Sequence, residues 1–241
     1  MDLPAPKQSS AQESSPIKEL ENRADIYMAR KYYAEAVELY KKLLDQEPNN
    51  AIFHNKMGIA YHQMQDFGAA KGAYRKAVQL NPNYAQAVNN LAAVEYGQKN
   101  YRAAILTYLE ALKLNPNDPI VYSNLGTAYF AYDEFEYAMT SYRYALMLDP
   151  ALFERSSRSG TIVHQRENKN PAAFYFYLAK VFAEMGRTDD TLLYLQKAWE
   201  EGFPDILKAL QDKAFAFLAE EPRFVEFISL VEASEKEALS P

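Results

Sequence analysis

Apolar residues along the middle of the chain fall at helical spacing, as in Ile105, Leu106, Tyr108, Leu109 and Leu112. Positions i, i+3, i+4 and i+7 share one face of a helix, so the pattern predicts helices rather than strands. Segments of about 14 residues carry it, and short polar breaks at Gln65 and Asp66, Lys99 and Asn100, and Tyr132 and Asp133 separate them in pairs. Every second segment ends at a proline: Pro48, Pro82, Pro116 and Pro150, each 34 residues after the last. The residue before a proline is pushed out of the helical region, so each proline closes the helix that precedes it. The prediction is a helix hairpin repeated in four frames, 17–50, 51–84, 85–118 and 119–152.

Other positions keep the same period. Ala36, Ala70, Ala104 and Ala138 are small residues at one offset, where two helices can approach closely. Tyr40, Tyr74, Tyr108 and Tyr142 follow four places later, then Leu43, Ala77, Ala111 and Ala145. In the first half of each frame Met57 and Gly58, Leu91 and Ala92, and Leu125 and Gly126 recur, with Arg23 and Ala24 as a weaker copy. Tyr27, Tyr61 and Tyr129 come three residues on, and Glu95 breaks that series. One such hairpin cannot bury both of its faces, and stacking on a neighbour completes the core.

These offsets are a relaxed form of the pattern Trp-x2-Leu-Gly-x2-Tyr…Ala-x3-Phe…Pro, and the chain resembles the tetratricopeptide-repeat family. The resemblance implies an all-α fold, a right-handed α-solenoid of stacked antiparallel helix hairpins with four regular repeats. Residues 153–171 meet no repeat offset and are expected to form an irregular insert. A divergent fifth repeat follows over 172–204, with Tyr175, Leu178, Ala179, Phe182, Leu195 and Ala198 at repeat positions and Thr191 in place of the small alanine. Residues 205–241 are expected to be capping helices, in which Phe215, Leu218, Phe224, Phe227, Ile228 and Val231 cover the last repeat. Residues 1–16, rich in Pro, Ser and Gln, are expected to be a flexible leader.

Composition narrows the chemistry. The chain is 49% hydrophobic and 24% charged, which excludes wholesale disorder. It holds no cysteine, so disulfides, thiolate metal sites and cysteine nucleophiles are out. The net charge of −6 argues against nucleic acid as a partner. All of that charge comes from residues 200–241, with 10 acids against 4 bases. No apolar run is long enough for membrane insertion. The three histidines, His54, His62 and His164, form no i, i+4 pair, and neither a phosphate loop nor a Gly-x-Ser-x-Gly elbow is present. The chain is therefore not expected to be an enzyme, and no cofactor or metal is expected. With no export signal in the residues given, a cytoplasmic location is the default, with the periplasm as the alternative for a processed fragment.

What remains is surface. In the family that the chain resembles, the first helix of each hairpin lines a concave groove. Carried onto this sequence, the groove positions give Asn22, Asn55, Lys56, Ile59, Asn89, Asn90, Tyr96, Ile120, Asn124 and Phe130. That lining is amide-rich and nearly uncharged. Asparagine both donates and accepts, so a row of them suits an extended peptide backbone, with Ile59, Tyr96, Ile120 and Phe130 seating apolar side chains. The same asparagines could equally bridge neighbouring helices. Bases are missing where a clamp for an acidic peptide terminus would need them. A second candidate surface is the basic insert, with Arg155, Arg158 and Arg166. The leading expectation is a scaffold or adaptor with a protein or peptide partner. The alternative is a self-assembling homo-oligomeric component, such as a part of a bacterial envelope or secretion complex. Tyr132, Tyr137, Tyr144 and the aromatic run 174–177 motivate that alternative.

Overall fold

A computed structural model describes residues 16–153 and 170–238, and among them only helices, turns and irregular segments occur. The chain divides into two compact units, Met1–Val94 and Glu95–Pro241. In the first, α1 (Pro16–Ala29) pairs with α2 (Tyr33–Gln46) and α3 (Ala51–Gln63) with α4 (Phe67–Leu80), and α2 also packs on α3. Helix α5 (Ala85–Gly97) begins in this unit and ends in the next. The second unit continues with α6 (Tyr101–Leu114), α7 (Pro119–Ala131), α8 (Phe135–Leu148), α9 (Pro171–Glu184) and α10 (Thr188–Glu200). A short α11 (Ile206–Ala209), a 3-10 helix (Lys213–Leu218) and α12 (Pro222–Ala238) complete it.

The hairpin turns share one device. Lys31, Gln65, Lys99 and Asp133, each 34 residues apart, have φ between 61° and 63°, and Gly186 has φ 69°. A left-handed residue after the last helical turn reverses the chain and lets the next amide bond back to a carbonyl five residues earlier. Those bonds are present: Tyr32 to Tyr27 at 2.9 Å, Asp66 to Tyr61 at 3.0 Å, Asn100 to Glu95 at 2.9 Å, Glu134 to Tyr129 at 3.0 Å and Arg187 to Phe182 at 2.9 Å. The starts of several helices are capped by side chains. Asn50, Asp118 and Asn170 accept backbone amides at the heads of α3, α7 and α9.

The periodic tyrosines are the centres of the hairpins. Tyr40, Tyr74, Tyr108 and Tyr142 are all 1% exposed or less. Gly58 and Gly126 exist to admit two of these rings. A Cβ on Gly58 would lie 2.6 Å from the Tyr74 ring, and one on Gly126 2.6 Å from the Tyr142 ring. Among the described residues, the core of the first unit includes one cluster around Tyr40, Leu43 and Phe53 and one around Tyr74 and Val94. The second unit has a larger aromatic core running from Phe130 and Tyr142 through Phe174, Phe176 and Phe182 to Phe215, Phe224 and Val231.

Two sequence expectations are corrected by this core. The aromatic run at 174–177 is not a surface patch, because Phe174 and Phe176 are 2% and 6% exposed and pack on α8, α10 and the 3-10 helix. Helix α9 is apolar around most of its circumference, as a helix covered on several sides must be. The repeat offsets place Phe153 in the irregular insert, yet it is 1% exposed, with its ring edge-on to Tyr142 at 5.7 Å and near Phe182 at 6.4 Å. At the other end of that segment Asn170 and Pro171 already cap and start α9. The basic residues Arg155, Arg158 and Arg166 lie outside the described residues.

Candidate functional site

In the first unit the first helices of the hairpins are joined by two polar clusters. On α3 the Lys56 ammonium donates to Glu21 at 2.9 Å and to both Asp25 oxygens at 2.9 and 2.6 Å on α1. Lys18 also donates to Glu21, at 3.0 Å, and the Tyr40 hydroxyl donates to Asp25 at 2.7 Å. Lys56 keeps 25% of its side chain exposed and Glu21 only 17%. The hydrogen bond from Lys56, then that from Lys18, holds the Glu21 carboxyl below its ordinary range. Burial works against the Lys56 charge, but its bonds to Asp25 and Glu21 outweigh that and raise its pKa. Burial, then the bond to Asp25, raises the Tyr40 phenol.

The second cluster is the amide ladder. Asn90 on α5 donates to the Asn55 carbonyl oxygen at 3.0 Å, Asn55 donates to the Tyr84 hydroxyl at 3.3 Å, and Asn89 donates to Asn90 at 3.3 Å. Asn55 is only 1% exposed. Its amide is consumed in joining α3 to α5 and to the loop before it, so it is not available to a peptide. Asn89 and Asn90 are half-buried and Asn22 is exposed.

The other predicted residues divide in the same way. Ile59 is half-buried and packs on the cluster of Ala70, Tyr74 and Val94. In the second unit Tyr96 and Phe130 are 4% and 5% exposed, so neither can seat a ligand side chain. Phe130 is held by rings of Phe135, Phe174 and Tyr177 at 5.3, 5.8 and 6.0 Å. Asn124 is half-buried, and Ile120 is 51% exposed near the start of α7. The expectation of a nearly uncharged lining also fails in the first unit, where Glu21, Asp25 and Lys56 form an ion cluster. Its signal was present: Glu21 and Asp25 stand one helical turn apart, 35 and 31 residues before Lys56. Nothing in the repeat pattern pointed to Tyr84, which lies before α5 between hairpins.

One row stays open. Lys18, Ile52 and Gln86, at a single repeat offset on α1, α3 and α5, are all exposed, and Ile52 is 51% exposed. His54 does not join this face, because a ring nitrogen bonds the Pro48 carbonyl at 3.0 Å. Burial lowers the pKa of His62, whose ring meets Phe67 edge-on at 5.5 Å. Among the described residues no group of three His, Asp or Glu is placed to hold a metal, and no helix is long and apolar enough to cross a membrane.

Known proteins supply the comparison. The family model described as "TPR repeat" matches residues 24–65 and 94–133, and that described as "Tetratricopeptide repeat" matches 51–84. No curated protein matches significantly. Among solved structures, MamA from residue 41 to its end, from Desulfovibrio magneticus, is similar at 21% identity with a TM-score of 0.55, over 81% of this chain and 97% of that one. Another MamA structure is similar at 22% identity with a TM-score of 0.53, over 74% of this chain and 93% of that one. YrrB, described as a TPR protein with an unusual peptide-binding site, is similar at 18% identity with a TM-score of 0.51, over 79% and 88%. At these identities the likeness is one of fold.

Proposed function

Because the chain belongs to the tetratricopeptide-repeat family, we propose that it is a non-catalytic protein-interaction scaffold whose first-helix face takes an extended peptide or protein segment. The exposed row carries this reading. The polar rows beside it are spent on holding α1, α3 and α5 together, whereas Lys18, Ile52 and Gln86 stay exposed, Lys18 paired with Glu21 and Gln86 accepting from the Tyr84 hydroxyl. Ile120 repeats the Ile52 position in the second unit with the same 51% exposure. A half-exposed isoleucine between polar neighbours can seat one apolar side chain. Asn22, exposed on α1, is an amide within reach of water that can pair with a backbone. YrrB, alike in fold, is described as binding peptide; the class of ligand is carried over here, not the site.

The test is a selection from a displayed library of short peptides with the full chain as bait, followed by affinity measurement on the peptides enriched. Ile52→Asp combined with Gln86→Ala changes only exposed side chains and is expected to weaken binding at least about tenfold. Failure to enrich any peptide, or equal affinity for the variant with an unchanged thermal melt, refutes the reading.

A further inference from the structure

A second surface lies in the second unit, beside the turn between α5 and α6. It is a depression of about 470 Å³ lined by Lys99, Tyr101, Arg102, Leu106 and Tyr132, among others. Leu106 and Tyr132 are 57% and 46% exposed, and the Tyr101 ring leans on Tyr96 at 5.4 Å. Scattered exposed leucines mean little. Here an exposed leucine and two tyrosines share one hollow with two cations, and neither Lys99 nor Arg102 makes an ion pair among the described residues. The acids Asp133 and Glu134 follow Tyr132 in the chain but do not line the hollow. A complementary occupant is helical or extended, apolar at its centre and acidic at its edges.

Such a surface exists at the other end of the same unit. Helix α12 packs on α10 and α11, with Phe224 and Val231 buried and Phe227 and Ile228 partly so. Its outer stripe, on the opposite side at helical spacing, holds Val225, Glu226, Ser229, Leu230, Glu232 and Ala233, all exposed. Val225 and Leu230 are 49% and 53% exposed. Glu226 and Glu232 have no ion pair among the described residues, while the nearby Arg223 is already taken by Glu221 and Asp189. Ser229 and Ala233 lie between the larger residues, so another surface can approach closely. Because α12 is held against α10 and α11, it does not reach the hollow on α6 of its own copy.

We propose that the outer stripe of α12 in one copy of the chain docks into the hollow between Tyr101 and Tyr132 of the next. Val225 and Leu230 sit against Tyr101, Leu106 and Tyr132, and Glu226 and Glu232 face Arg102 and Lys99. The contact joins two different surfaces, so it builds a ring or a filament rather than a two-fold dimer. Apolar contact supplies most of the affinity, and the exposed charges choose register and partner.

Sedimentation velocity on the full chain tests this, from about 5 µM to about 500 µM in low salt. The mean sedimentation coefficient is expected to rise with concentration. Lys99→Glu with Arg102→Glu, and separately Glu226→Lys with Glu232→Lys, should each weaken association at least about tenfold. Mixing the two variants in equal amounts should restore it, because each hollow then meets a stripe of opposite charge. Leu230→Asp should abolish association while leaving the first-helix face, and peptide capture there, unchanged. Circular dichroism confirms that each variant keeps its helix content. A strict monomer at the highest concentration overturns the proposal and leaves the hollow to an acidic segment of a different protein. So does association that charge reversal leaves intact, or a mixture that fails to recover.

Discussion

Gly126→Ala should destabilise this protein although alanine is the better helix former. Gly126 lies inside α7, where the exchange alone favours the helix by about 1 kcal/mol. Opposing it, the new Cβ would stand 2.6 Å from Cε1 and 2.7 Å from Cδ1 of Tyr142, about 1 Å inside the optimum carbon separation. That ring has little room to retreat. It is 1% exposed, its hydroxyl donates to Thr127 at 3.2 Å, and Phe153 and Phe174 stand edge-on at 5.7 and 5.8 Å. Overpacking of this kind costs about 1–3 kcal/mol, and with a ring this confined the cost falls at the upper end, so the net loss is about 2 kcal/mol. Gly72→Ala is the matched control. It also lies within a helix, α4, but a Cβ there meets nothing within 4 Å, so the same exchange should stabilise by about 1 kcal/mol. Urea unfolding followed by circular dichroism reads both, and the midpoints should move in opposite directions at an unchanged slope. In a Tyr142→Leu background Gly126→Ala should lose its penalty, which isolates the ring as the cause. The reasoning fails if Gly126→Ala is neutral or stabilising in the wild-type background. Two other frames set the upper limit on strain, because Ala24 and Ala92 already stand at this offset in frames whose tyrosines, Tyr40 and Tyr108, are buried all the same.

Other substitutions probe the turns and the polar clusters. Gln65→Gly should raise the thermal midpoint, gaining about 0.5–1 kcal/mol, since φ of 61° strains a residue with a Cβ. Asn55→Ala should cost about 1–3 kcal/mol in urea unfolding by orphaning the Asn90 amide, whereas Asn22→Ala, at an exposed position, should stay within about 0.5 kcal/mol. The Lys56 cluster should make stability depend on pH at both ends. Glu21 titrates below its ordinary value of 4.5 when folded, so its contribution is complete above that value and is lost as pH falls through the folded value. Lys56 titrates above 10.5 when folded, so its contribution is complete below that and is lost as pH rises further. Thermal melts from acid to alkaline pH should show both losses, and Lys56→Met should flatten them.

The periodic features of the molecule were readable because they report backbone requirements. A proline every 34 residues marks a helix end, and a glycine opposite a tyrosine marks a place where only a hydrogen fits. Depth was harder to read than direction. The repeat offset puts Asn55, Tyr96 and Phe130 on first helices but does not say how closely the neighbouring helices crowd them. Asn55 turned out to be a bridge, and the two aromatic rings are core. The run at 174–177 is deceptive for a related reason. It reads as an exposed patch only if α9 has one open face, and the segments that cover it, α10 and the 3-10 helix among them, keep no repeat period. Charge is illegible from any single repeat offset. Glu21, Asp25 and Lys56 acquire their meaning only as a set drawn from successive hairpins.

The two units differ in how their parts are fastened. In the first, the helices α1, α3 and α5 are tied by one ammonium group and a chain of amides over small apolar clusters. In the second, rings interlock from Phe130 to Phe224. Polar ties are directional and snap over a short displacement, whereas interlocked rings yield gradually. Heat or mechanical load therefore has a preferred point of entry. Hairpins near the amino terminus should peel off first, exchange their amide hydrogens soonest and be the first cut by a protease, while the aromatic half stays intact as the anchor from which they refold.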